Sequence, residues 1–424
     1  MSSSGEQTEV ETLRQAFELA VAAAQPDICL RAVLEKIEAP SAAVVIGAGK
    51  AAASMAACFH SVWPAPVRGL VVTRYQHGLL PNESSGAIEV IEAGHPSPDS
   101  ASLEAGQRLI ELAASVRDDE QLYWLVSGGG SALAAAPLAP VTFEQKRAAA
   151  DFLMHAGADI REINCVRKHL SGLKGGRLAA AAHPRPVHTL AISDVPGDDI
   201  AAIASGPTIA DPTTRQQAIE VLQKYAYPDL DALLVVLEDP ALETPKPGSG
   251  AFADDTYDIV ATADTALAAA LRMLEEHGYL VRYLGDDLDD EARSLGNAHA
   301  EMALTELGQG RRVAILSGGE TRVVIRRRGG RGGRNVEYLA GVAEGLGDCA
   351  GVFALAADTD GIDGHGGHAG AWLRPGDIAA AQARGVELAA CQDANDCYRF
   401  FEATDALIMT GPTRTNVNDF RLIL

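Results

Sequence analysis

The sequence predicts a two-domain α/β protein, and three observations carry that expectation. Short apolar runs alternate with longer helical patterns along most of the 424 residues, the signature of parallel α/β architecture. The alternation is interrupted by one proline- and glycine-rich stretch, Asp239–Gly250, which reads as a linker. The chain is also long enough for two or three separate cores. The expected division is residues 1–240 and 251–424, with the ligand site in a cleft between the domains.

Taken in order, Ala42–Ile46, Leu70–Thr73, Ile88–Glu92, Leu122–Val126 and Val187–Ser193 read as strands of the first half. Ala51–Phe59, Ser102–Ser115 and Glu144–His155 have helical spacing between them. Beyond the linker, Asp258–Ala261, Leu280–Leu284, Val313–Leu316, Val352–Ala356 and Ala406–Met409 read as strands. Helices are expected near Ala263–His277, Asp290–Leu307 and Val336–Leu346.

Composition narrows the function classes. A net charge of −22 and a pI near 4.9 disfavour nucleic acid and anionic membranes as partners, which need positive fields. No apolar stretch approaches the roughly 20 residues of a membrane span, and the opening MSSSGEQTEVETLRQAF lacks a basic segment followed by an apolar core. Six cysteines without a C-x-x-C pair suit reduced thiols in the cytoplasm.

Against that acidic background, five arginines fall between Arg326 and Arg334. Planar guanidinium groups hold phosphate bidentately, and the glycines among them let the backbone approach a bound anion. A solvated hairpin tip and an RGG-type RNA contact are the competing explanations. Four glycine-rich turns add to this. In VVIGAGKAAASMA, Gly47, Gly49 and Lys50 link a strand to an alanine-rich helix whose first amides could hold an anion. Gly47, Gly49 and Ala52 also fit G-x-G-x-x-A, so a dinucleotide site competes; the next strand ends in Thr73-Arg74, which disfavours NAD and leaves NADP. In LVSGGGSA, Ser127, Gly128, Gly129, Gly130 and Ser131 form a backbone nest for carboxylate or phosphate. In ISDVPGDD, Asp194, Asp198 and Asp199 follow a strand, where they could hold Mg2+, accept a proton or simply cap a helix. In DTDGIDGHGGHAGA, Asp358, Asp360 and Asp363 alternate with glycine, and Mg2+ held by one or two carboxylates is the more natural reading than zinc at His365 and His368.

These segments occur in one order: GAGKA, EAGHPSPD at Glu92–Asp99, SGGGSAL, VRKHLSGLKGG at Val166–Gly176, SDVPGDD, IASGPT, LSGGET, GGRNVE, DTDGIDG and TGPTRTNVND at Thr410–Asp419. Together they resemble the class II D-glycerate 2-kinase family, whose C-terminal half is the MOFRL domain and whose members were often called hydroxypyruvate reductases. The resemblance implies a Rossmann-like N-terminal domain with a parallel sheet and a smaller C-terminal α/β domain. It also implies transfer of the ATP γ-phosphoryl group to the 2-hydroxyl of D-glycerate, with Mg2+, in a monomer or homodimer. An NAD(P)H-dependent hydroxypyruvate reductase is the alternative.

By the same resemblance, Lys50 and Arg334 are the catalytic cations, closing from opposite domains on the migrating group. Asp194 would bind metal or accept the hydroxyl proton, and Asp360 and Glu320 would be further carboxylates for the metal. Gly47, Gly49, Ser127 to Ser131 and Lys168 would contact substrate or phosphate, while Gly318, Gly319, Glu320, Asn335 and Asn416 would contact the nucleotide. The chain departs from the family pattern at Val336 for glutamine, Gly367 for aspartate and Arg414 for glycine.

Overall fold

The computed structural model describes residues 3–38, 41–347 and 349–424. After an opening helix, α1 (Ser3–Ala23), the chain lays down β1 (Ala42–Ala48), α2 (Ala52–Val62), β2 (Val67–Arg74), β3 (Ile88–Ala93), α3 (Ser100–Ala114) and β4 (Glu120–Val126). It continues through α4 (Phe143–His155), α5 (Ile160–His169), β5 (Val187–Ile192) and β6 (Thr256–Ala261). These six strands form one sheet in the order β3-β2-β1-β4-β5-β6, and the β1–β2, β1–β4, β2–β3 and β4–β5 pairs are all parallel. That is the Rossmann strand order, which reverses between β1 and β4. Val44, Ile46, Leu70, Leu122 and Trp124 are buried in its core. Several helices start on capping boxes that satisfy their first amides, among them Thr142 with Gln145 for α4 and Asp159 with Glu162 for α5.

A second sheet follows. Its elements are α6 (Ala263–Glu276), β7 (Leu280–Tyr283), α7 (Ala292–Gly308), β8 (Val313–Ser317), α8 (Arg334–Leu346), β9 (Ala354–Asp358), β10 (Gly370–Leu373), β11 (Leu407–Ile408) and β12 (Asp419–Ile423). The order is β11-β10-β9-β12-β8-β7. Only β7–β8 among these pairs is parallel; β12 runs antiparallel to both β8 and β9. The C-terminal strand is therefore central, flanked on both sides.

By their contacts, residues 29–260 form one compact unit, and residues 1–28 with 261–424 form the other. Sequence reading placed the division at residues 240–251. β6 instead completes the first sheet as its edge strand beside β5. The opening helix joins the C-terminal unit, where Phe17 meets Phe420 with ring centroids 5.8 Å apart.

Helix α8 is buried along almost its whole length. It lies so close to α7 that a Cβ on Gly341 would stand 2.2 Å from the Arg293 carbonyl oxygen, and one on Gly296 only 2.1 Å from that of Tyr338. Two backbones have no room to separate inside a packed layer, so Gly341→Ala should cost about 1–3 kcal/mol by overpacking, read as a lower urea midpoint.

Candidate functional site

In the Rossmann unit the residues that follow β1 and β4 interlock at the point where strand order reverses. Gly49 sits at φ +147, and a Cβ there would lie 2.1 Å from Ser127 Oγ. Lys50 N donates to Gly128 O at 2.9 Å, and Ala51 N donates to Ser127 Oγ at 3.0 Å. Gly49 N donates to Val72 O, and Ser127 N to Ala48 O. Of the amides leading into α2 that an anion could use, Lys50 N and Ala51 N are spent on the neighbouring turn, and Ala52 N bonds Gly49 O. Gly47 and Gly49 are thus packing glycines, since a Cβ on Gly47 would meet Leu125 O at 2.6 Å. The same occupancy removes the backbone cradle that a dinucleotide pyrophosphate would need.

The nest survives one strand away. Gly130 N is committed to Ser127 O, whereas the N–H groups of Gly128, Gly129 and Ser131 have no acceptor among the described residues. Gly129 is left-handed at φ +82, and a Cβ on it would approach the His95 ring at 2.9 Å and Lys50 Cγ at 3.5 Å. Lys50, His95 and the SGGGS turn are therefore brought together. Ser131 Oγ meets Ser205 Oγ at 3.1 Å, and Ser205 Oγ also reaches Asn164 Oδ1 at 3.2 Å. Ala204 and Ser205 are consecutive left-handed residues that are not glycine, at φ +50 and +63. Such backbone strain costs of order 1–3 kcal/mol per residue and persists only where surroundings enforce it. Asp194, half-buried, follows β5, the strand beside β4.

A cavity of about 400 Å³ opens beside this turn, with Gly129 and Ser131 in its lining. Its charged residues are Lys146, Arg147, Arg167 and Lys174, against the single carboxylate of Asp151. Lys174 is buried and donates to Ser131 O at 2.9 Å and Ala134 O at 3.3 Å. Burial, then Lys146 and Arg167, depress its affinity for a proton well below that of an ordinary lysine. Lys146 is 9% exposed, and its Nζ has no hydrogen-bond partner among the described residues. Burial, with Arg167 nearby, brings its pKa down to about 7. Lys168, expected among the substrate contacts, is absent from this lining. Its Nζ lies 3.4 Å from Asp211 Oδ1, within a buried network that includes Thr244, which donates to Asp211 Oδ2 at 3.1 Å.

In the C-terminal unit the arginine tract resolves into separate jobs. Asn395 Oδ1 accepts from Arg326 N at 2.6 Å and Arg327 N at 3.1 Å, and Asp396 Oδ1 accepts from Arg331 N at 3.0 Å. Arg331 pairs with Glu402 at 3.1 Å and lies 4.1 Å above the Tyr398 ring. Arg326, Arg327 and Arg328 are exposed. Side chains of the protein thus anchor the amides of Arg326, Arg327 and Arg331, and among the glycines of the tract Gly332 N bonds the backbone oxygen of His365 at 3.2 Å. Gly333 is glycine because a Cβ would sit 2.2 Å from Asp363 Oδ1. That carboxylate accepts from Asn335 N and Val336 N, both at 3.1 Å, and so caps α8.

Arg334 is held by three carboxylates. Nε donates to Asp419 at 2.8 Å, Nη1 to Glu320 at 2.5 Å and Nη2 to Asp358 at 2.8 Å. Burial works against its charge, but Asp419, Asp358 and Glu320 together raise its pKa well above the ordinary arginine value. Three of five N–H groups are committed, which leaves a rigid fork with two donors to spend. Asp419 also receives Asn335 Nδ2 at 2.8 Å and lies 3.3 Å from Arg421 Nη2. Arg421, fully buried, donates to Gly318 O at 2.8 Å. Gly318 and Gly319 are buried, and Asp419 N bonds Gly319 O, so this turn is fastened to β12. Asn416 is buried, and its Oδ1 accepts from Asn418 N at 3.4 Å.

Asp360, expected to serve a metal, is 1% exposed, and its Oδ1 accepts from Ile362 N at 2.7 Å. That is a turn-forming role. Among the described residues no three His, Cys, Asp or Glu side chains form a metal-holding group. The departures have local explanations: Val336 is fully buried in the core, and Gly367 sits at φ +76 in open space. Arg414 adopts φ +62, a region glycine enters without steric cost.

Comparison with known proteins agrees with this geometry. Residues 12–236 match a domain of unknown function, DUF4147, and residues 313–419 match the MOFRL family. The chain is 43% identical, over 98% of its length and 94% of the other's, to an Agrobacterium vitis protein bearing the provisional name hydroxypyruvate reductase. It is 34% identical to the D-glycerate 2-kinase of Thermotoga maritima over 93% of both chains. The crystal structure of Thermotoga maritima glycerate kinase matches with a TM-score of 0.87 at 33% identity, covering 99% of each chain.

Two consequences can be measured. Asp419→Asn strips a buried carboxylate from two arginines and should cost about 3–5 kcal/mol. Glu320→Gln, at a half-exposed position, should cost less than about 1 kcal/mol; urea midpoints compare them. The second concerns pH. Lys146 has a folded pKa of about 7 against 10.5 for a free lysine, so across that window the unfolded chain binds more protons and stability rises with pH. Lys146→Met should be more stable than the parent near about pH 6, and the advantage should shrink toward about pH 10, as urea titrations at several pH values would reveal.

Proposed function

The chain belongs to the MOFRL-domain glycerate kinase family, and we propose that it is itself a D-glycerate 2-kinase, forming 2-phospho-D-glycerate and ADP from D-glycerate and ATP. The observation that carries this reading is the cavity beside the SGGGS turn. It sets the unpartnered N–H groups of Gly129 and Ser131 beside the buried Lys146 and Lys174 and the half-buried Arg167, within an acidic protein. A small acid that becomes a phosphate ester is the ligand such chemistry suits.

Phosphoryl transfer asks a protein for position and charge neutralisation more than for covalent chemistry. The Gly128, Gly129 and Ser131 amides would hold anionic oxygens, with Lys50 beside them to balance charge on the migrating group. The substrate 2-hydroxyl oxygen forms the new bond to phosphorus as the bond to the β-phosphate oxygen breaks. Asp194 is the carboxylate we assign to the departing hydroxyl proton. Arg334, with two N–H groups uncommitted, is the second cation for phosphate oxygens. Mg2+, when bound, would supply positive charge that offsets the phosphate oxygens, and one or two protein carboxylates would hold it. Asp194 and Glu320 fit that requirement by exposure, whereas buried Asp360 does not. The free, mostly buried cysteines suit a cytoplasmic enzyme, and no described helix is long and apolar enough to cross a membrane.

The reductase reading rests on the name of the Agrobacterium vitis relative and on G-x-G-x-x-A, whose amides are already bonded within the fold. Purified protein given D-glycerate and Mg-ATP should release ADP and a product whose phosphorus NMR signal is that of the 2-phosphate. NADPH oxidation with hydroxypyruvate, without ADP formation, would overturn the assignment. Lys50→Ala should lower kcat by about 10²-fold or more in the coupled ADP assay.

A further inference from the structure

One side chain in the cavity is not explained by folding. Lys146 lies on α4 among residues that face the core: Ala149 and Leu153, three and seven positions on, are buried with it. A buried ammonium without a hydrogen-bond partner is costly, and Lys146 has none among the described residues. Every other titratable group lining the cavity, apart from Asp151, is cationic or a histidine: Arg147 on the same helix, Arg167 on α5, Lys174 beyond α5, and His95 on the loop after β3. Asp151 is exposed and acts on Arg167, supporting its charge. The protein itself therefore supplies no counter-charge where Lys146 is buried.

The cavity also presents two distinct anion-binding elements. One is the SGGGS turn, whose Gly129 and Ser131 line the cavity with their N–H groups unpartnered. The other is the group formed by Lys146, Arg167 and Lys174. A 2-phosphorylated hydroxy acid carries two anionic groups on adjacent carbons, and the two elements match them. We propose that Lys146, supported by Arg167 and Lys174, binds the carboxylate of the acceptor and so restricts the enzyme to 2-hydroxy acids. This rests on the glycerate kinase reading. The ligand's charge completes a pair that the protein's own side chains do not supply, which also accounts for a lysine whose proton is held so weakly.

The test is the KM–kcat split of Lys146→Met, a variant that removes a buried charge and should fold at least as well as its parent. Loss of a charge-assisted hydrogen bond should raise the KM for D-glycerate about 10- to 100-fold and leave the KM for ATP within about twofold. Discrimination against D-glyceramide, whose amide is uncharged, should shrink by the same factor, and Lys146→Arg should recover part of the loss. An unchanged KM for D-glycerate, or an increase confined to ATP, would overturn the proposal while the parent still phosphorylates D-glycerate. A parent that releases no ADP from D-glycerate would instead remove the kinase reading on which it rests.

Discussion

The C-terminal unit depends on one carboxylate, that of Asp419. It lies at the first position of the central strand β12, between Arg334 at the start of α8 and the buried Arg421 two residues along the same strand. Through Arg334 it is tied to Asp358 at the end of β9, and through Arg421 to the carbonyl of Gly318 just past β8. Three strand ends and one helix entrance thus share a hydrogen-bonded cluster. Charges removed from water repay their desolvation only when geometry and partners are nearly complete. Here both arginines have several partners, and the arrangement fixes the direction of the Arg334 fork before any ligand arrives.

The Rossmann unit reaches a comparable result through backbone. Its two glycine turns bond to each other, so the Lys50 and Ala51 amides leading into α2 are consumed while the nest of the second turn stays open. Preorganised N–H groups need no rearrangement when charge develops on a ligand. The strained pair Ala204 and Ser205 belongs to the same design, since Ser205 braces Ser131 from behind.

Much of this was legible in the chain. Periodicity located the strands of the first sheet to within a few residues, because each is a short apolar run bounded by turn formers. It placed the strand read at Asp258–Ala261 in the C-terminal domain, whereas it joins the first sheet, since a linker's composition does not reveal which sheet the strand beside it will join. The strand Asp419–Ile423 went unread because its first residue is acidic and Arg421 interrupts the apolar run. Both charges are buried by pairing, which periodicity does not register. Lys50, Arg334 and the SGGGS turn were visible as motifs. Lys146 had a weaker signal, a lysine on the apolar stripe of a helix, which reads as a solvated charge until the cavity is seen. Lys168 shows the reverse error: adjacent to Arg167 in sequence, it points into a structural network, because neighbours on a helix do not share a face.

The cationic cavity has a kinetic consequence. Both substrates are anions approaching a protein whose net charge is −22, so the long-range field opposes encounter, and attraction takes over only within roughly a Debye length, about 8 Å at physiological salt. Most charged-substrate enzymes gain speed from electrostatic steering and lose it as salt screens the field. In this protein the sign is inverted over most of the approach. Moderate ionic strength screens the repulsive exterior while the buried cations, poorly screened, keep their hold on the bound acid. Association should quicken with added salt before it slows, and selectivity for small acids rests on capture at the end of the path rather than on guidance toward it.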